Sequence, residues 1–100
     1  MNSVKEISLK NDYCRRTFSR CQVLMTRSVA GHEDRHLILQ AVKEFNIFNN
    51  DNDPYKEHDF GSFSLNGQTY FWKFDYYDDE YKYFKENGNR VLTVGLMSEY

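Results

Sequence analysis

Apolar residues recur at helical intervals twice in the first half of this chain and alternate with polar ones in the second half. Over residues 3 to 18, Val4, Ile7, Cys14 and Phe18 share one stripe, Asn11 interrupts it, and Lys5, Arg15 and Arg16 stand opposite, which predicts an amphipathic helix. Gln22-Val-Leu-Met-Thr26 is short, apolar and partly β-branched, with Gly31 punctuating its exit, and reads as a strand placed centrally in a sheet. From His32 to Asn46, Ile38, Ala41, Val42 and Phe45 fall at i, i+3, i+4 and i+7 behind Glu33 and Asp34, acids suited to a helix N-terminus, so a second amphipathic helix is expected there. Asn49-Asn-Asp-Asn-Asp-Pro54 is dense in turn formers and must be a loop. Phe60 to Leu65 and Gln68 to Tyr77 flank Asn66-Gly67, the strongest short signal for a two-residue hairpin turn. On the second of these strands Tyr70, Trp72, Phe74 and Tyr76 point to one face, expected to be buried, while Phe71, Lys73, Asp75 and Tyr77 point to the other. A second Asn-Gly, Asn87-Gly88, precedes a final strand over Val91 to Met97.

These elements predict an α+β fold in which two helices pack on one face of an antiparallel sheet of about four strands, leaving the other face partly exposed and aromatic. With 100 residues the chain has the size of one domain, so residues 1–100 are expected to share a single core. Neither a repeat nor a low-complexity linker divides it. A 40% hydrophobic share suffices for that core, and eight Tyr, eight Phe and one Trp exceed what a small core needs. No apolar run approaches the roughly 18 residues of a membrane span. The N-terminus MNSVKEISLK has no apolar stretch like that of a secretory signal, so a cytoplasmic protein is expected. Cys14 and Cys21 have neither a second pair to complete a zinc site nor the spacing of a redox motif. Reduced thiols are therefore the expected state and a disulfide the alternative.

Net charge is −2, but the sign is unevenly distributed. Residues 1–47 hold eight basic against five acidic residues, and residues 48–100 hold five against ten. Two clusters make the acidic half: Asp51, Asp53, Glu57 and Asp59, then Asp75, Asp78, Asp79 and Glu80.

His32-Glu-Asp-Arg-His36 matches the H-E-x-x-H pattern, in which two histidines one helical turn apart bind zinc and the Glu is a general base. The charged residues inside it, and its place at a helix start, favour a solvated first turn instead. A zinc site would need His58 or Glu57 as a third ligand. Asp51 to Asp59 fails the EF-hand test, with Tyr55 and Lys56 where an oxygen donor and a glycine are required. Its Asp and Asn side chains are expected to satisfy loop backbone donors, with His58 bonded to a nearby carboxylate. Arg15, Arg16, Arg20 and Arg27 suit phosphate contacts, but the acidic pI of about 5.9 opposes nucleic-acid binding, and a solvated face or internal pairing explains them. Cys14 lacks any nucleophile signature and sits on the apolar stripe, so it reads as core. No cofactor-binding motif stands out. The feature that suggests function is Tyr70 to Tyr77 followed by Asp78-Asp-Glu-Tyr-Lys-Tyr-Phe84, where carboxylates interleave with aromatics as on a surface that competes for a basic groove.

Asp51-Asn-Asp-Pro54, Glu57-His-Asp-Phe-Gly61, Phe71-Trp-Lys-Phe-Asp-Tyr-Tyr-Asp78 and Arg90-Val-Leu-Thr-Val94 together resemble the bacterial domain-of-unknown-function 3768 family, as do Arg15-Arg-Thr-Phe18 and Leu24 to Arg27. The likeness covers most of the chain in order, and His32 and His36 lie outside the shared pattern. The family has no established activity to carry onto residues. Its resemblance to proteins encoded on bacterial chromosomes, plasmids and other mobile elements implies an accessory role, such as anti-CRISPR or anti-restriction.

The leading expectation is a non-enzymatic, acidic inhibitor or adaptor that blocks a basic, nucleic-acid-handling site on a protein partner. Asp51, Asp53, Glu57, Asp59, Asp75, Asp78, Asp79 and Glu80 would steer the encounter, and Tyr77, Tyr81 and Tyr83 would supply contact area. The alternatives are a small metal-dependent hydrolase using His32, His36 and His58 with Glu33 as base, and a direct nucleic-acid binder using the N-terminal arginines.

Overall fold

A computed structural model of the chain describes residues 3–100. In order it contains α1 (Ser3–Thr17), β1 (Gln22–Met25), α2 (Arg27–Ala30), α3 (Arg35–Glu44), β2 (Phe60–Leu65), β3 (Gln68–Tyr77), β4 (Asn89–Leu96) and a closing 3-10 turn, Met97–Glu99. The strands form one sheet in the order β1-β4-β3-β2. The fold is α+β, as expected, but the sheet is mixed: β2-β3 and β3-β4 pair antiparallel while β1 runs parallel to β4.

That parallel pair corrects the central placement expected for β1, which is an edge strand. The hairpin gives β3 its first neighbour and β4 its second, which leaves the outer sides of β2 and β4, and β1 takes the one beside β4. Burial agrees, because Val91, Leu92, Val94 and Gly95 of β4 are covered on both faces while Gln22, Leu24 and Met25 of β1 are exposed. The hairpin forms in the expected register, Leu65 opposite Gln68. Asn66 and Gly67 both take positive φ, 52° and 82°, as a type I′ turn requires.

The second helix, expected from His32 to Asn46, is shorter, Arg35–Glu44, and the one-turn α2, capped by Gly31, precedes it where the sequence suggested no helix. Between them the His32 Nδ1 accepts the Asp34 N–H at 2.9 Å, a local bond that takes a donor out of the helical pattern. α3 ends before Phe45, whose ψ of 132° is extended.

Ile7, Cys14, Val29, Ile38, Val42 and Phe45 pack on Tyr70, Trp72, Phe74, Tyr76, Leu92 and Val94 to form the core, so the β3 face expected to be buried is the one the helices cover. Asn11 belongs to the buried stripe of α1 rather than interrupting it. Arg15, expected on a solvated face, is also fully buried, because Trp72 and Phe48 receive its guanidinium on their rings, 5.1 and 5.6 Å from the centroids. At Gly61 a side chain would meet Trp72 Nε1 at 2.5 Å and Phe45 Cε1 at 2.8 Å, so glycine lets the indole lie against β2.

The expectation of reduced thiols is corrected as well. α1 stops before Phe18 (φ 57°), and after Arg20 (φ 64°) the chain turns back so that Cys14 and Cys21 stand 6.0 Å apart between Cα atoms and form a disulfide. Among the described residues no helix is long and apolar enough to cross a membrane.

Candidate functional site

The first acidic cluster folds inward. Asn49 and Asn52 knit the loop after α3: Asn49 Oδ1 accepts the N–H groups of Asp51 and Asn52, and Asn52 Oδ1 accepts that of Asn49. This turns Asp53 under the chain, where it is 3% exposed and its carboxylate accepts the His58 N–H at 3.0 Å. The His58 ring then lies between two acids, Nδ1 at 3.0 Å from both Asp12 carboxylate oxygens and Nε2 at 3.6 Å from Asp53, and stacks on Phe48 at 3.9 Å. The expected local pairing of loop asparagines and of His58 with a carboxylate is therefore observed.

Glu57 accepts the Tyr76 hydroxyl at 3.2 Å, and its carbonyl accepts Asn11 Nδ2 at 3.0 Å. Burial raises the Tyr76 pKa, and the carboxylates of Glu57 and Asp59 add to the rise. Asp59 is raised too, by burial first and then by repulsion from Glu57, Asp53 and Asp75. Of the four expected contact acids in this loop, Asp51 alone is classed as exposed. The group acts as a brace between α1, the 47–59 loop and β3.

The second cluster has a different setting. Asp75 lies on the open face of the sheet and pairs with Lys73 at 3.0 Å. Beyond β3, a bridge between Tyr77 and Phe84 and the bonds from the Asp78 N–H to the Tyr83 carbonyl (2.8 Å) and from the Lys85 N–H to the Tyr76 carbonyl (3.2 Å) close residues 78–84 into a loop of defined shape. Asp78 spends its carboxylate inside that loop, accepting the N–H groups of Glu80 and Lys82. Asp79 and Glu80 are exposed, as are Tyr81, Tyr83 and Phe84, with Tyr83 at 72% and Phe84 at 74%. Phe84 was not among the expected contact residues, although its place directly after Tyr83 in the aromatic run was a signal. Tyr77 and Tyr81 also border a cleft of about 570 Å³ over the open sheet face, which reaches to Tyr100. Because side chains alternate along β3, Tyr76 with the first cluster and Asp75 and Tyr77 with the second occupy opposite faces of the sheet.

The histidines expected to act together are separated. His32 sits in the turn before α3 with its ring edge-on to that of Tyr70, 6.5 Å between centroids, His36 is exposed on α3, and His58 is held by Asp12 and Asp53. Among the described residues no group of three or more His, Cys, Asp or Glu side chains is arranged to hold a metal ion. Of the N-terminal arginines, Arg15 is committed to Asp12 and to the carbonyls of Val42 and Lys43, whereas Arg16, Arg20 and Arg27 are exposed.

No curated protein and no solved structure matches the chain. The profile of one family, described as "Protein of unknown function (DUF3768)", matches residues 25–99. Asp53, Glu57, His58, Tyr76 and the exposed 78–84 loop fall inside the match; Asn11, Asp12 and Arg15, which α1 contributes to the brace, precede it. With three quarters of its length so matched, the chain belongs to the DUF3768 family.

Proposed function

We propose that this protein is a non-enzymatic binding module that uses its 78–84 loop to engage a partner protein with a basic surface, of the kind found on nucleic-acid-handling proteins. One observation carries the reading: Tyr81, Tyr83 and Phe84 are exposed beside Asp79 and Glu80 in a loop whose backbone is closed by its own hydrogen bonds. Aromatic side chains supply contact area at low entropic cost, and a loop already ordered loses little further freedom on binding. The two exposed carboxylates give the encounter its sign, steering a cationic patch and repelling an anionic one. Asp53 and Glu57 of the first acidic cluster take no part, since their carboxylates are used within the fold.

The test is affinity capture by the full chain from nuclease-treated lysate of its source cells, comparing wild type with D79K/E80K and with Y83A/F84A. These positions are exposed, so all three proteins should melt alike. A protein retained at stoichiometric yield by wild type and lost with both variants supports the reading. Retention unchanged in both, or no retained protein, overturns it.

A further inference from the structure

The acidic total conceals a local reversal of sign. Between α1 and the turn before β4 lies a cleft of about 560 Å³, and its walls carry Lys10, Arg20, Lys85 and Arg90 against one carboxylate, Asp79. Three of these cations are not neutralised by direct contact. Arg90 is 6% exposed, yet its guanidinium donates to Asn11 Oδ1 at 2.6 Å, to the Gly88 carbonyl at 3.1 Å and to Asn87 Oδ1 at 2.5 Å, all neutral acceptors. Among the described residues no carboxylate lies within ion-pair distance of Arg20 or Lys85. Lys10 is paired, with Glu6 at 3.1 Å.

Arg20 is also held in place. Its guanidinium lies over the Tyr13 ring, 5.2 Å from the centroid, and the Cys14–Cys21 disulfide joins the residues that immediately follow each member of this pair. The stack occupies one face of the guanidinium and leaves the N–H edge for an acceptor. A buried arginine held by neutral acceptors, with Glu57 and Glu6 acting on it only at longer range, a stacked arginine and a lysine around one concave space make convergent donors that outnumber the cleft's one carboxylate, Asp79.

We infer that this cleft binds a small polyanion through phosphate or carboxylate groups, with Arg20 and Lys85 contacting the ligand and Arg90 contributing fixed positive charge. The volume falls within the range of small-molecule sites. An extended nucleic acid fits less well, because it needs a basic stripe, and the adjoining loop presents Asp79 and Glu80. The inference is independent of the partner-binding reading, which rests on the 78–84 loop and shares only Asp79 with the cleft wall.

Titration calorimetry of the full chain at about 0.15 M salt, with inorganic pyrophosphate and separately with succinate, tests it. One-to-one saturable binding of either is expected, weakened by about tenfold or more in R20A/K85A, and the preferred anion identifies the head group. Equal melting of the unliganded variant and wild type establishes that the variant is folded. Absence of saturable binding by both anions at millimolar concentration overturns the inference. So does undiminished affinity in a folded R20A/K85A.

Discussion

Arg15 links three parts of the molecule. Its Nη1 donates to the carbonyls of Val42 and Lys43 at 2.9 and 3.3 Å, its Nη2 to Asp12 at 3.2 Å, and its planar group lies over Trp72 and Phe48. Carbonyls in the last turn of a helix lack the usual i+4 donor; that of Val42 accepts the Phe45 N–H at 3.3 Å, and the guanidinium adds a second donor there and one at Lys43. Burial lowers the Arg15 pKa, and the bond to Asp12 opposes that shift. Arg15→Ala would remove one donor each from the Asp12 carboxylate, the Val42 carbonyl and the Lys43 carbonyl, and open a gap beside Trp72. The expected loss, measured by urea unfolding, is about 3 kcal/mol or more. A loss under about 1 kcal/mol would be that of an exposed pair and would contradict this role.

At the scale of elements, α2 is too short to be stable by itself and depends on a cap from the far end of the chain. Glu99 accepts the Thr26 hydroxyl at 2.6 Å and the Leu96 N–H at 2.8 Å through Oε1, and the Ser28 N–H at 3.3 Å through Oε2. The same turn places Tyr100 against Phe71 and Phe60, 4.9 and 5.7 Å between ring centres, so it closes one end of the open-face cleft. These hydrogen bonds, that of Thr26 foremost, lower the Glu99 pKa from an ordinary 4.5 to about 2. A depressed carboxylate stabilises the fold when ionised, so its contribution is complete above the unfolded value and disappears as pH falls through the folded one. Wild type should therefore exceed Glu99→Gln in stability at neutral pH, with the difference shrinking between pH 4.5 and about 2. Unfolding curves across that range check it; a constant difference would deny the ionised carboxylate its capping role.

For the molecule as a whole, the disulfide ties the end of α1 to the start of β1 across a separation of 7 residues. Closing a loop of that size restricts the unfolded chain by about 2 kcal/mol in the loop-entropy model. Reduction by TCEP should lower the melting temperature by on the order of 10 °C, and C14S/C21S should melt at the reduced value and be insensitive to the reagent. An unchanged melting temperature after complete reduction would show that the helix and sheet contacts alone hold this corner.

Much of this architecture is legible in local pattern. Asn66-Gly67, the alternation along Gln68 to Tyr77, and the i, i+3, i+4, i+7 run at Ile38 specify backbone conformation and a buried face using neighbours a few residues away. The exposed aromatic and acidic run at 78–84 was visible for the same reason. What required the tertiary structure was every decision between distant partners. Asp53 and Glu57 read equally as partner contacts or as loop-bound acids, and Arg15 as solvated or internally paired, until α1 and the 47–59 loop meet against β3 and pair them internally. Asn11 looked like a break in a stripe until Tyr76, Glu57 and Arg90 supplied its hydrogen bonds. The edge position of β1 was set by its pairing with the outer side of β4, a contact between strands distant in sequence. Periodicity reports which face of an element is buried, whereas the energy of a charge or amide depends on what lies opposite it, and in this chain those partners stand up to 81 residues away.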